Sequence, residues 1–151
     1  MKGLFAAVAV VAAIVGSGAS AFDPVHLKRL KETNECASCD LSDADLFNDE
    51  LTNANLIGAN LTNTKLNGAN LTDANLNLAN LTNAKLSYAN LTGANLTGTN
   101  LSSANLSDTD LTYANLSGTD LSFVDLIFAR IKGTVFCDTT MPDGSVKKYS
   151  C

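Results

Sequence analysis

Tryptophan is absent from this 151-residue chain, histidine occurs once, and aromatic residues together make up 6%. A core of large rings is thereby excluded, which leaves leucine and alanine to fill the interior. Charge is also scarce. Only 17% of residues are charged and the net is −5, so a basic nucleic-acid-binding surface is not expected. With His26 the sole histidine and no glycine-rich phosphate loop, no nucleophile, base and orienting group assemble along the chain. Asp43/Asp45 and Asp49/Glu50 are the nearest approach to paired carboxylates, and they read as a solvated acidic surface. The sequence predicts a protein that is not an enzyme, with no catalytic, cofactor-binding or metal-binding residues.

What the chain has instead is a beat of five. The series is Leu41, Leu46, Leu51, Leu56, Leu61, Leu66, Leu71, Leu76, Leu81, Leu86, Leu91, Leu96, Leu101, Leu106, Leu111, Leu116, Leu121 and Leu126, closed by Ile131 and Phe136. On an α-helix, residues five apart are turned by roughly 140°, which scatters the leucines around its circumference. In a flat strand they alternate faces, and half of them meet water. They share one core only if the chain turns a corner about every five residues, so that four corners make a square coil of about twenty. Neighbouring positions agree. Two residues before most leucines stands Ala or Thr, as at Ala54, Thr64 and Ala84, because a second large side chain per wall would overpack a narrow interior. Two residues after, 14 of 20 positions are Gly, Asn or Asp, which tolerate the positive φ of a corner.

This A-[DN]-L-x-x motif resembles the pentapeptide-repeat family over residues 40–136. The resemblance implies an all-β fold, a right-handed quadrilateral β-helix of about five coils that is roughly 24 Å long at strand spacing. The β-helix domain is placed at residues 39–136.

The flanks read as a leader and two caps. Residues 1–21 form a secretory signal peptide, with Lys2 as the charged start, Leu4–Val15 as the apolar stretch, and cleavage between Ala21 and Phe22 after Ala19-Ser20-Ala21. An uncleaved anchor is the competing reading; Gly16-Ser17-Gly18 favours cleavage, after which no membrane association is expected. Residues 22–38 hold a short capping helix and a Cys-x-x-Cys turn. Asp23 suits the N-cap, Pro24 the first helical position, and Leu27 and Leu30 one apolar face. Residues 137–151 carry the turn signal Pro142-Asp143-Gly144 and read as a hairpin over the far end, with Phe123 and Phe128 packing beneath the last coil.

Cys36 and Cys39 lie before the repeat, Cys137 and Cys151 beyond it. Sulfurs about 24 Å apart cannot share one zinc at ~2.3 Å. Behind a signal peptide, four cysteines read as structural disulfides, and the rod's length excludes the two pairings that cross end to end. Cys36–Cys39 and Cys137–Cys151 remain. The leader, the Cys-x-x-Cys opening and the ending together resemble pentapeptide proteins exported in cyanobacteria and lodged in plant thylakoid lumens, which implies a periplasmic or lumenal location.

The expected function is a non-enzymatic exported solenoid, a rigid structural scaffold or protein–protein interaction module whose protein partner and oligomeric state the sequence leaves unnamed. The alternative implied by the family is a DNA-mimicking gyrase or topoisomerase inhibitor, but here carboxylates crowd the rod's ends and Lys65 and Lys85 interrupt its middle. A further alternative is an ice- or ligand-binding solenoid, since Thr52, Thr72, Thr92 and Thr112 fall on one column. On the inward-leucine reading, Leu86→Ala destabilises by ~2–5 kcal/mol. Thr92→Ala costs under about 1 kcal/mol. Urea denaturation of the two variants separates these outcomes, and equal costs overturn the reading.

Overall fold

The computed structural model describes residues 22–148 and 151. The expected signal peptide, including Ala21 of its cleavage site, lies outside the described residues.

Helix α1, Pro24–Thr33, opens the described chain. The Asp23 carboxylate accepts the Val25 amide at 2.8 Å, and Pro24 occupies the first turn, where no intrahelical donor is needed. Asn34 ends the helix in the left-handed region (φ 56°) and returns its amide to the Leu30 carbonyl at 2.9 Å. Leu30 is fully buried and Leu27 packs partly against the same core, so α1 lies across the mouth of the repeat.

From Glu35 onward the chain winds as a β-solenoid. Parallel bridges join each wall residue to the one twenty ahead, from Glu35↔Asn55 to Asp120↔Thr140. The first wall carries Asp40, Asn60, Asn80, Asn100 and Asp120; the second carries Asp45, Lys65, Lys85, Asn105 and Asp125. The third carries Glu50, Asn70, Asn90, Asp110 and Arg130, and the fourth runs from Glu35 through Asn75 to Val135.

One five-residue unit shows why the winding is stable. The Leu61 amide donates to the Asn80 carbonyl in the next coil (2.7 Å), and the Asn63 amide to the Thr82 carbonyl (2.9 Å). The Lys65 amide reaches back to the Ala44 carbonyl in the preceding coil (3.0 Å). The Thr64 amide closes the corner on the Leu61 carbonyl (3.2 Å). Only the Thr62 amide lacks a main-chain partner, and it finds the Asn60 side-chain oxygen (3.3 Å). All five donors are satisfied, as burial requires.

Every leucine of the series from Leu41 to Leu121 is buried. Where Thr replaces Ala inside, its hydroxyl donates to a leucine carbonyl, most often of the coil above, as Thr64 does to Leu41 at 2.9 Å and Thr109 to Leu86 at 3.0 Å, while Thr119 donates to Leu116 of its own coil at 2.6 Å. A buried hydroxyl thus fills an alanine's place without an unmet hydrogen bond.

The last coil departs from expectation. Leu126 is half-buried and packs against the margin of the core, while Ile131 is 45% exposed and does not complete the core ladder. The beat stops after Phe136, and below the first wall Thr140 continues the bridges, while among the described residues no bridge continues the second and third walls beyond Asp125 and Arg130. Phe123 and Phe128 do not pack under the coil either; they are 89% and 81% exposed. Both sit at corners with positive φ (62° and 58°), where the side chain projects off the rod.

Strands β1, Thr139–Thr140, and β2, Val146–Lys147, form an antiparallel hairpin. Phe136 is buried, with the Lys147 ammonium 4.7 Å from its ring centroid. Cys137 is bonded to Cys151 (Cα–Cα 5.0 Å). At the other end, Cys36 is bonded to Cys39 (5.2 Å), both buried beside α1.

All corner positions from Asp43 to Asp138 have positive φ, including bulky Leu78, Tyr88 and Tyr113. A side chain there costs roughly 1–2 kcal/mol relative to glycine. Tyr88 is 71% exposed and gains little packing in return. Tyr88→Asn, which installs a residue the repeat already uses at corners, raises stability by up to about 1 kcal/mol in chemical denaturation.

Candidate interaction surface

The walls are built by the residue preceding each leucine. Its side chain points outward, yet in most units it is engaged within the coil. Asn90 Oδ1 accepts the Thr92 amide at 3.0 Å and the Thr92 hydroxyl at 2.6 Å. The same pair of bonds recurs at Asn60–Thr62, Asn80–Thr82 and Asn95–Thr97. This is an Asx turn fused to each corner. Within the threonine column singled out from the sequence, the Thr72 and Thr92 hydroxyls are donated to their own coil's asparagine rather than held free for ordered water.

Contacts between coils add a second use. Asn60 Nδ2 donates to Asp40 Oδ1 at 3.0 Å, and Asn70 Nδ2 to Glu50 Oε2 at 2.8 Å. Lys65 meets Asp45 at 3.1 Å and Arg130 meets Asp110 at 3.2 Å, each pair one coil apart. Lys31 of α1 reaches Asp49 at 2.9 Å. His26 lies at the same junction, where its Nδ1 accepts the Asp40 amide at 3.0 Å, a helix-to-wall tie. The two residues of each candidate carboxylate pair point to different uses: Asp43 accepts from Asn63, Asp45 pairs with Lys65, and Asp49 pairs with Lys31.

Along the first wall, the carboxylates of Asp40 and Asp120 are separated by three asparagines. At ~4.8 Å per coil that is about 19 Å, far sparser than the charge of one duplex strand at 3.4 Å spacing. The role of Asn as corner acceptor was missed from the sequence, although its [DN] position was visible; the signal was a polar residue two before Thr or Ser.

These features define a class, a β-solenoid whose corners fall every five residues. The pentapeptide-repeats family model matches residues 39–77, 74–112 and 104–141, and the chain belongs to that family. Among solved structures, a pentapeptide repeat protein from the cyanobacterium Cyanothece 51142 is 30% identical, over 73% of this chain and 92% of that one, with a TM-score of 0.44. HetL, a pentapeptide repeat protein involved in heterocyst differentiation regulation from Nostoc sp. strain PCC 7120, is 29% identical over 75% of this chain and 72% of its own, with a TM-score of 0.35. A pentapeptide repeat protein of the Arabidopsis thaliana thylakoid lumen is 28% identical over 73% of this chain and 70% of its own, with a TM-score of 0.41. No curated protein matches the chain.

Some corner acceptors are carboxylates, and this makes the fold sensitive to acid. Asp40 titrates below its ordinary value of 3.8, first because the Ser42 hydroxyl and then because the Ser42 amide hydrogen-bond the ionised form. Asp143 is lowered in the same way by the Ser145 hydroxyl and amide. A lowered folded-state value means that the stabilisation is complete above the ordinary value and is lost as pH falls through the folded one. The melting temperature is therefore flat from neutral pH down to about 4 and then declines. Asp40→Asn keeps the corner acceptor without the titration, so it shows a shallower acid decline than the parent protein.

Proposed function

We propose that this chain is a non-enzymatic, exported pentapeptide-repeat solenoid that serves as a rigid scaffold or protein-interaction module in a periplasm or thylakoid lumen. The observation that carries the reading is the saturation of the walls. In the middle coils, the Asx-turn asparagines and threonines hold their own backbone, leaving a stiff rod whose differences lie at its corners and ends. Two disulfides clamp the ends and support an oxidising compartment. The leader expected at residues 1–21 supports the same compartment.

Two measurements on the protein in its native host test this reading. Intact mass after alkylation without reductant should give a chain beginning at Phe22 with no alkylated thiol. A full-length chain with four free thiols overturns export. Photo-crosslinkers placed singly at Asn77, Tyr88, Phe128 and Lys132 should yield a discrete protein adduct from at least one position. No adduct from any of them overturns the interaction role.

A further inference from the structure

Two units in the middle of the rod break the hydrogen-bond pattern of the walls. The residue before the leucine is Lys65 in one coil and Lys85 in the next, bridged one above the other on the second wall. A lysine side chain donates and cannot accept. The amides two residues on, at Asn67 and Ser87, therefore lack the side-chain oxygen that serves this position in most units. Among the described residues they have no partner. The same wall shows the usual arrangement on either side. In the coil above, Asp45 accepts the Phe47 amide (3.2 Å); in the coil below, Asn105 accepts the Ser107 amide (2.9 Å) and hydroxyl (2.7 Å). The other amides of this kind without a partner, at Ala37, Thr52, Lys132 and Cys137, lie toward the ends of the rod, and no two of them are neighbours on a wall.

Asn67 and Ser87 stand one coil apart, about 4.8 Å. Their amides face the outer side of the wall, where an Asx turn would place its oxygen. The main-chain carbonyls beside them are occupied: Lys65 accepts from Leu46, Asn67 from Asn48, Lys85 from Leu66 and Ser87 from Gly68. Ser87 Oγ accepts the Ser107 hydroxyl at 3.1 Å and keeps its own proton to donate. Lys65 is paired with Asp45 at 3.1 Å, whereas Lys85 meets no carboxylate among the described residues. Two lysines against one aspartate leave the spot with a local charge of +1. Asp108 stands at the far corner of the coil below, and Asp125 is two coils below Lys85, about 10 Å away and beyond a Debye length at physiological salt. Two exposed rings flank the donors, Phe47 one coil above Asn67 and Tyr88 at the corner next to Ser87.

We propose that Lys65, Asn67, Lys85 and Ser87 form a carboxylate-binding site on the second wall, and that its ligand is an acidic side chain of a partner protein carried between apolar residues. The incoming carboxylate does for Ser87 what Asp40 does for Ser42 in the first wall, where one oxygen accepts both the amide (3.1 Å) and the hydroxyl (2.7 Å). Set between the two coils, it reaches the Asn67 amide with its other oxygen, and both lysines reinforce the bonds with charge. A single negative charge matches the local +1, while a doubly charged phosphate is opposed by Asp45. The apolar neighbours of the acidic residue cover Phe47 and Tyr88. The proposal rests on the interaction-module reading and assigns that reading a place and a partner chemistry.

The test titrates the disulfide-intact protein, at constant ionic strength, with a capped tripeptide carrying glutamate between two leucines, with its glutamine counterpart, and with sodium acetate. The Asn67 and Ser87 amides are followed by NMR. The glutamate peptide is expected to shift both amides saturably, with roughly tenfold weaker binding of the glutamine peptide and weaker binding of acetate. Lys85→Asn closes the turn on Ser87 as Asn105 closes it on Ser107, so it abolishes the Ser87 response without lowering the melting temperature. Equal binding of the two peptides, no saturable shift, or an undiminished response in Lys85→Asn overturns the proposal. Acetate binding as tightly as the glutamate peptide assigns the site to a free carboxylic acid and overturns the protein source. If the amides do not respond while crosslinkers at Asn77 or Tyr88 capture a protein in the host, the site assignment falls and the interaction role stands. If no crosslinker captures anything, both fall.

Discussion

Everything in this molecule follows from the need to find an acceptor for five backbone amides in each short wall. Three cross to neighbouring coils and one turns back on the leucine carbonyl, as Thr64 does on Leu61. The fifth has no main-chain partner, and the side chain before the leucine supplies it, as Asn60 does for Thr62. That accounting explains the whole motif. The corner needs positive φ, hence Gly, Asn or Asp in most units. The inward positions need one leucine and one small residue, because four walls share one narrow interior.

The same accounting explains why the surface has so little chemistry. Side chains that in another fold would be free to bind a ligand here complete the backbone of their own coil. Carboxylates at those positions, such as Asp40, are held ionised by the Ser42 hydroxyl and amide they serve, which links the acid sensitivity of the rod to its corner geometry. Cross-coil pairs such as Lys65–Asp45 lie on the surface, where such pairs contribute little on their own. Distinctive surface is left where the repeat is broken, at bulky corners and at the two ends.

The ends are asymmetric. At the start, α1 places Leu30 over the core and ties itself down through His26 to Asp40 and Lys31 to Asp49. At the finish, the hairpin shelters Phe136 and carries the first wall one step further through Thr140, but among the described residues no bridge continues the second and third walls. In the last coil the amides of Leu126, Phe128, Ile131 and Gly133 and the carbonyls of Val124 and Ala129 are without partners among the described residues.

The sequence by itself determined the repeat length, the inward leucines through Leu121, the small inner partners and the corner residues. All of these are local: a five-residue unit must turn the same way wherever it stands, so its periodicity is visible without its neighbours. It did not determine the environment of Leu126, Ile131, Phe123 or Phe128. Leu126 and Ile131 keep the pattern of the interior and are exposed for want of a coil beneath them, whereas Phe123 and Phe128 stand at corners, where side chains project off the rod as Leu78, Tyr88 and Tyr113 do mid-rod. The asparagine's service to the corner amide lay between these cases, since its position was plain while its bond required the turn to be built. Tertiary structure decided what stacks on what, because burial in a solenoid is supplied by the neighbouring coil and the last coil has one neighbour fewer.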